Sequence, residues 1–161
     1  MHFVKLFEKK LGYRALLLRI ADALLPFSLD FHAVIWYNQN KKDRSIKMPY
    51  INLQTTSKVT DEKANAVKSA LGKAISIIPG KSENWLMVKI EDGQSMWFRG
   101  DASADTAFVS VSVFGTLSDS AADKMTAEIC DILGKELGIA PDRIYVRYSE
   151  HDKWGWNGGN F

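Results

Sequence analysis

One cysteine, three histidines and four prolines stand among 161 residues, and no uninterrupted apolar run reaches the length of a bilayer span. The lone Cys130 excludes an internal disulfide, a Cys-x-x-Cys redox pair and a thiolate zinc site. It fits a reducing compartment without excluding secretion. His2, His32 and His151 are scattered without ligand spacing, so no metal is implied. The apolar stretch Ala15 to Phe27 is interrupted by Arg19 and Asp22 and ended by Pro26. It is too short and too charged for a transmembrane helix, which needs roughly 20 apolar residues. No small-x-small cleavage site follows it closely, so it makes a poor secretory signal, and a basic amphipathic organelle leader stays open. Charge of one sign is also scarce, with a formal net of +2. Residues 1–48 hold nine Lys or Arg against four Asp or Glu, a net of +5, whereas residues 49–161 hold twelve against fifteen, a net of −3. A slightly acidic body without a basic stripe excludes the phosphate-neutralising footprint of a nucleic-acid binder.

What is present divides at Met48. Ahead of it, Asn38 to Lys47 (NQNKKDRSIK) is a polar, charged run that reads as linker or disorder. Beyond it the periodicities become clean, and 46% hydrophobic residues suffice for a two-layer core. Pro49 to Thr55 alternates apolar and polar as a strand does. Thr60 then offers a helix N-cap with Asp61 and Glu62 in the first turn. Ala64, Val67, Ala70, Leu71, Ala74 and Ile78 recur at helical spacing until Pro79-Gly80 stops the run. Trp85 to Ile90 reads as a second strand, and Met96-Trp97-Phe98 after Asp92-Gly93 as a short hairpin arm. Ala107 to Phe114 (AFVSVSVF) alternates again. Ser118 or Asp119 can cap a second helix carrying Met125, Ile129, Ile132 and Leu133, which Gly138 and Pro141 end. Arg143 to Tyr148 is the fourth strand.

The order strand, helix, strand is thus repeated. Leu71-Gly72-Lys73 recurs 62 positions later as Leu133-Gly134-Lys135, each in the last turns of its helix and each followed by a proline and a strand. Two right-handed βαβ units side by side predict an α+β fold, a four-stranded mixed sheet with both helices on one face. Val109, Val111 and Val113 would face the helices, leaving Phe108, Ser110, Ser112 and Phe114 on the other side. A half-apolar second face predicts packing against another sheet, most simply by oligomerisation.

Met48-Pro49 before a short strand, Gly80-Lys81 ahead of the second strand, Pro141-Asp142-Arg143-Ile144-Tyr145 and the ending Gly155-Trp156-Asn157 resemble the macrophage migration inhibitory factor family, over about 113 residues. The resemblance implies a homotrimer of two βαβ units per subunit, with the initiator methionine removed. It also implies cofactor-free tautomerisation of phenylpyruvate and dopachrome-like compounds, small aromatic 2-oxo acids above all. Residues 49–161 would be the tautomerase domain. Residues 1–48 would be an extension, either a gene start placed too far upstream or a leader removed by a protease, because a proline inside a chain has an amide nitrogen with no basicity.

With a free terminus, Pro49 presents a secondary amine whose reference pKa is about 8. An apolar pocket and a neighbouring cation both disfavour its protonated form, as a base working near neutral pH requires. Without the flanking pattern Pro49 would read as a strand-initiating proline. By the resemblance, Lys81 holds the substrate carboxylate, where its alternative is a solvated turn lysine. Tyr145 enters the pocket of an adjacent subunit, where its alternative is a core tyrosine. Phe114 stands where a backbone amide binds the carboxylate. Arg147 replaces an asparagine, as a second carboxylate clamp or as a surface strand residue. Tyr50 and Trp85 keep the pocket aromatic, and Trp154, Trp156 and Phe161 form an apolar rim or trimer packing. The Cys-x-x-Cys of some relatives is replaced by Ala107 and Ser110, so thiol oxidoreductase activity should be missing. His151 reads as a solvated loop residue. The competing function is a secreted, cytokine-like ligand for a protein receptor with a vestigial pocket, and the location expected is cytoplasmic, or extracellular without a signal peptide.

Overall fold

Pro49–Thr55 forms β1, in which every second side chain is buried and Ile51 and Leu53 are fully enclosed. The structure, a computed structural model, describes residues 48–160. The apolar stretch Ala15 to Phe27, the polar run Asn38 to Lys47, His2, His32 and Phe161 lie outside the described residues.

Helix α1 (Asp61–Ala74) starts where Thr60 Oγ1 accepts from the Lys63 N–H at 3.4 Å, with Asp61 and Glu62 at the positive end of its dipole. The helical pattern was expected to run on to Ile78. Instead it tightens into a 3-10 turn at Ile75–Ile77, and Ile78 is extended. Pro79 accounts for this, since a residue ahead of proline is pushed out of the α region. The chain re-enters the sheet at β2 (Met87–Glu91), two residues later than the expected start at Trp85. Glu83–Trp85 forms a further 3-10 turn, whose amides are satisfied by Trp85 N donating to Ser82 O and Leu86 N to Glu83 O.

Strand β3 (Ala107–Phe114) leads to α2 (Asp119–Leu137), capped by Ser118, whose Oγ accepts from Ala121 N at 3.3 Å. Gly138 ends α2 in the left-handed conformation (φ 73°), its N–H donating to the Leu133 and Gly134 carbonyls. Strand β4 covers Ile144–His151, so Arg143 is the last residue of the turn Pro141–Arg143 and not the first of the strand. His151 is the end of that strand and not a loop residue, though it is exposed as expected. A small hairpin, β5 (Gly155–Trp156) and β6 (Gly159–Asn160), closes around Asn157 and Gly158, both at positive φ. This is the primed turn that Asn-Gly favours.

The sheet order is β2-β1-β3-β4, with β1 parallel to β2, β3 parallel to β4, and β1 antiparallel to β3. The two βαβ units are therefore joined at a central antiparallel seam, as the repeat implied. Ile51, Leu53, Val109, Val111 and Val113 face Val67, Leu71, Met125, Ile129 and Leu133 of the two helices in one core. Each such side chain contributes roughly 1.5–3 kcal/mol when fully buried. The second face carries Tyr50, Phe108, Tyr145, Arg147 and a Ser112–Ser149 hydroxyl pair at 2.9 Å. Among the described residues no helix is long and apolar enough to cross a membrane.

Ser118→Ala is expected to lower stability by at most about 1 kcal/mol, because the Ala121 N–H of the first α2 turn loses its side-chain acceptor and keeps only the Ser118 carbonyl at 3.0 Å. Urea denaturation should show a lower midpoint at unchanged slope. An unchanged midpoint would show that this cap adds nothing to stability.

Candidate active site

Pro49 heads β1 opposite Val113 of β3, because a residue without an N–H is tolerated at a strand's first position. It opens into a cavity of about 370 Å³ lined by Met48, Pro49, Tyr50, Asn84, Trp85, Leu86, Met87, Trp154, Gly155 and Trp156. Three pieces of chain build the walls: the head of β1, the turn Glu83–Trp85 with the start of β2, and the link from β4 into β5. Trp85 and Trp156 meet edge to face at 5.3 Å, bracing the turn against the terminal hairpin. Trp154 is held similarly by His151 at 5.6 Å. Pro49, Tyr50, Trp85, Trp154 and Trp156 are thus brought together around one cavity. Asn84, Leu86 and Met87 were missed, although their position beside Trp85 was a usable signal.

Lys81 is 6% exposed, which removes its reading as a solvated turn lysine. Its Nζ donates to the Phe114 carbonyl at 2.6 Å, and the Phe114 N–H donates to the Met48 carbonyl at 3.2 Å. Lys81 and Phe114 do not line the cavity. They adjoin it through Met48, the residue peptide-bonded to Pro49. Burial pushes the Lys81 ammonium below the usual lysine range. Met48 itself is buried and holds φ 76°, a left-handed conformation costly for a non-glycine residue and more so ahead of proline.

Tyr145 and Arg147 lie on β4, an edge strand separated from β1 by β3, and neither lines the cavity of their own chain. Tyr145 is 61% exposed, so it is no core tyrosine. Its ring meets Phe98 at 5.1 Å. Arg147 Nη2 donates to Ser110 Oγ at 3.1 Å and its guanidinium lies 5.3 Å from the Phe108 ring centre. Burial pushes the half-buried Cys130 thiol up, with Asp131 adding to the shift, which places it among unreactive cysteines. Among the described residues no cluster of His, Cys, Asp or Glu could hold a metal ion.

A family model described as macrophage migration inhibitory factor matches residues 48–161. Xenopus laevis macrophage migration inhibitory factor is 29% identical over 116 residues, covering 71% of this chain and 99% of that protein. Bos taurus D-dopachrome decarboxylase is 30% identical over 109 residues, covering 66% of this chain and 90% of that protein. Among solved structures, Leishmania major MIF2 aligns with a TM-score of 0.67 at 32% identity, covering 71% of this chain and 98% of that one.

Proposed function

The chain belongs to the macrophage migration inhibitory factor family, and on that premise we propose that it is a cofactor-free keto-enol tautomerase of aromatic 2-oxo acids such as phenylpyruvate, with the Pro49 amine as general base. The observation that carries this reading is the placement of Pro49 in an aromatic cavity whose flank holds a buried cation, Lys81, tied back through Phe114. The base takes a proton from the carbon beside the keto group and the carbonyl oxygen receives one, so the step balances without oxidant or reductant. Lys81 meets the substrate carboxylate, and the rings of Trp85, Trp154 and Trp156 take the aromatic end. Such a role needs Pro49 at the mature amino terminus, with residues 1–48 absent. An assay of phenylpyruvate ketonisation tests the reading. No turnover by a chain starting at Pro49 would favour the cytokine-like ligand with a vestigial pocket.

The proposed assembly is a homotrimer, in which Tyr145 of one subunit completes the pocket of the next. Met87 (68% exposed) and Tyr145 (61% exposed) occupy opposite edge strands of the sheet, where a second copy can cover both. Light scattering on residues 49–161 is expected to give three times the monomer mass. A stable monomer would remove both the assembly and the intersubunit role of Tyr145.

A further inference from the structure

Tyr145 is anchored by a structure that the periodicity of β4 does not reveal. Phe98 and Asp101 exchange backbone hydrogen bonds at 2.9 and 3.0 Å across a two-residue turn in which Arg99 and Gly100 both have positive φ. This is the primed geometry that favours a closed two-residue turn. The Phe98 ring is buried and lies 5.1 Å from the Tyr145 ring. Behind it stands Arg143, with a side chain only 15% exposed. Its guanidinium lies 5.5 Å from the Phe98 ring centre and donates in three directions. Nη1 reaches Asp101 Oδ2 at 3.0 Å, Nε reaches the Asp105 carbonyl at 3.0 Å, and Nη2 reaches the Ala104 carbonyl at 2.8 Å and the Asp101 carbonyl at 3.4 Å. The backbone of Arg143 is fixed as well, since Thr106 Oγ1 donates to its carbonyl at 2.6 Å.

We propose that Arg143 is a positioning residue, whose guanidinium, locked by Asp101, Ala104 and Asp105, holds the Phe98 ring against Tyr145 and so sets where the Tyr145 phenol stands. Its bearing on turnover rests on the reading of Tyr145 as the residue received by a neighbouring pocket. The chemistry selects arginine, because four hydrogen bonds to three residues exceed the three donors of a lysine ammonium, and only the planar fork makes them while lying against an aromatic face. Tyr145 alone on an exposed edge strand would sample several rotamers. Ordering it in advance removes that cost from substrate binding.

The test uses the full chain labelled with 3-fluorotyrosine, the Tyr145 resonance being identified by its loss in Tyr145→Phe. Arg143→Lys keeps the charge and removes the fork, whereas Phe98→Leu leaves the Arg143 hydrogen bonds and removes the ring. Both are expected to shift and broaden the Tyr145 fluorine signal while leaving that of Tyr148, whose hydroxyl donates to Ala122 O on the helix side, unchanged. In the form that turns over phenylpyruvate, Arg143→Lys is expected to lower kcat/KM roughly 10-fold in the parent, as a misplaced contact does. It should add nothing in the Tyr145→Phe background, since residues acting as one unit are not additive. An unmoved Tyr145 signal, or an equal loss in both backgrounds, would overturn the proposal. A parent without turnover would overturn the tautomerase reading, and the fluorine spectra would then decide the role of Arg143 alone.

Discussion

A chain beginning at Pro49 is expected to tautomerise phenylpyruvate about 100- to 10,000-fold faster than the full 161-residue chain, the usual loss when a general base is removed. The decisive comparison adds a third protein, in which one alanine precedes Pro49. Its prolyl nitrogen is again acylated, so its lone pair is withdrawn into the amide and cannot accept a proton. The fold has no reason to suffer. The added alanine supplies a carbonyl where Met48 supplies one to the Phe114 N–H, and Pro49 keeps its place opposite Val113. Circular dichroism checks this independently of activity. The extra residue also stands where Met48 now lines the cavity, so chemistry and access fail together. Equal turnover by the intact full chain, verified by mass, would refute the amino-terminal base.

Lys81→Ala should weaken phenylpyruvate binding about 10- to 150-fold, the equivalent of roughly 1.5–3 kcal/mol for a charge-assisted hydrogen bond. An ester of the same compound, lacking the carboxylate, should lose far less. The substitution also removes the donor to the Phe114 carbonyl, a contact common to acid and ester, so their ratio isolates the substrate charge. The pH dependence follows from the direction of the shift. Burial lowers the Lys81 pKa, so the ammonium is fully present at low pH and is lost as pH rises through a value below the usual lysine range. The preference for acid over ester should fall along the same limb. Equal losses for both substrates would leave Lys81 as a structural support of the Phe114 backbone.

The two βαβ units were legible because their signals are local. Alternation in Pro49–Thr55 and Ala107–Phe114, caps at Thr60 and Ser118, and the stop at Gly138 each act within a few residues, and each stands in the structure. Trp85 misled because an aromatic beside Leu86 looks like strand, whereas the chain uses that residue to complete a turn. The β5–β6 hairpin carried its Asn-Gly signal openly, but two-residue strands give no periodicity to reinforce it. The Met48–Phe114–Lys81 chain and the Arg143–Phe98–Tyr145 stack join residues 33 to 66 positions apart, or lie in a loop and a turn, where periodicity carries no register. Lys81 shows the limit well, since a lysine after glycine reads as exposed, and only the packed structure reveals it as buried.

The antiparallel seam between β1 and β3 sets how the chain can reach this state. Each parallel pair closes over its own helix, so either βαβ unit can form from contacts within one stretch of sequence. The seam joins Thr55 to Ala107 and Pro49 to Val113, closing 52 to 64 residues at once. Loop-closure entropy grows only slowly with length, so this pairing costs little more than the 37-residue closures of β1 on β2 and β3 on β4, while relative contact order rises with it. Yet each unit alone leaves the apolar side of its strands and helix half covered, since Ile51 and Leu53 of one unit share a core with Val109 and Val111 of the other. The halves are consequently interdependent, and the strand that carries Pro49 is fixed by one unit while Val113 beside it comes from the other.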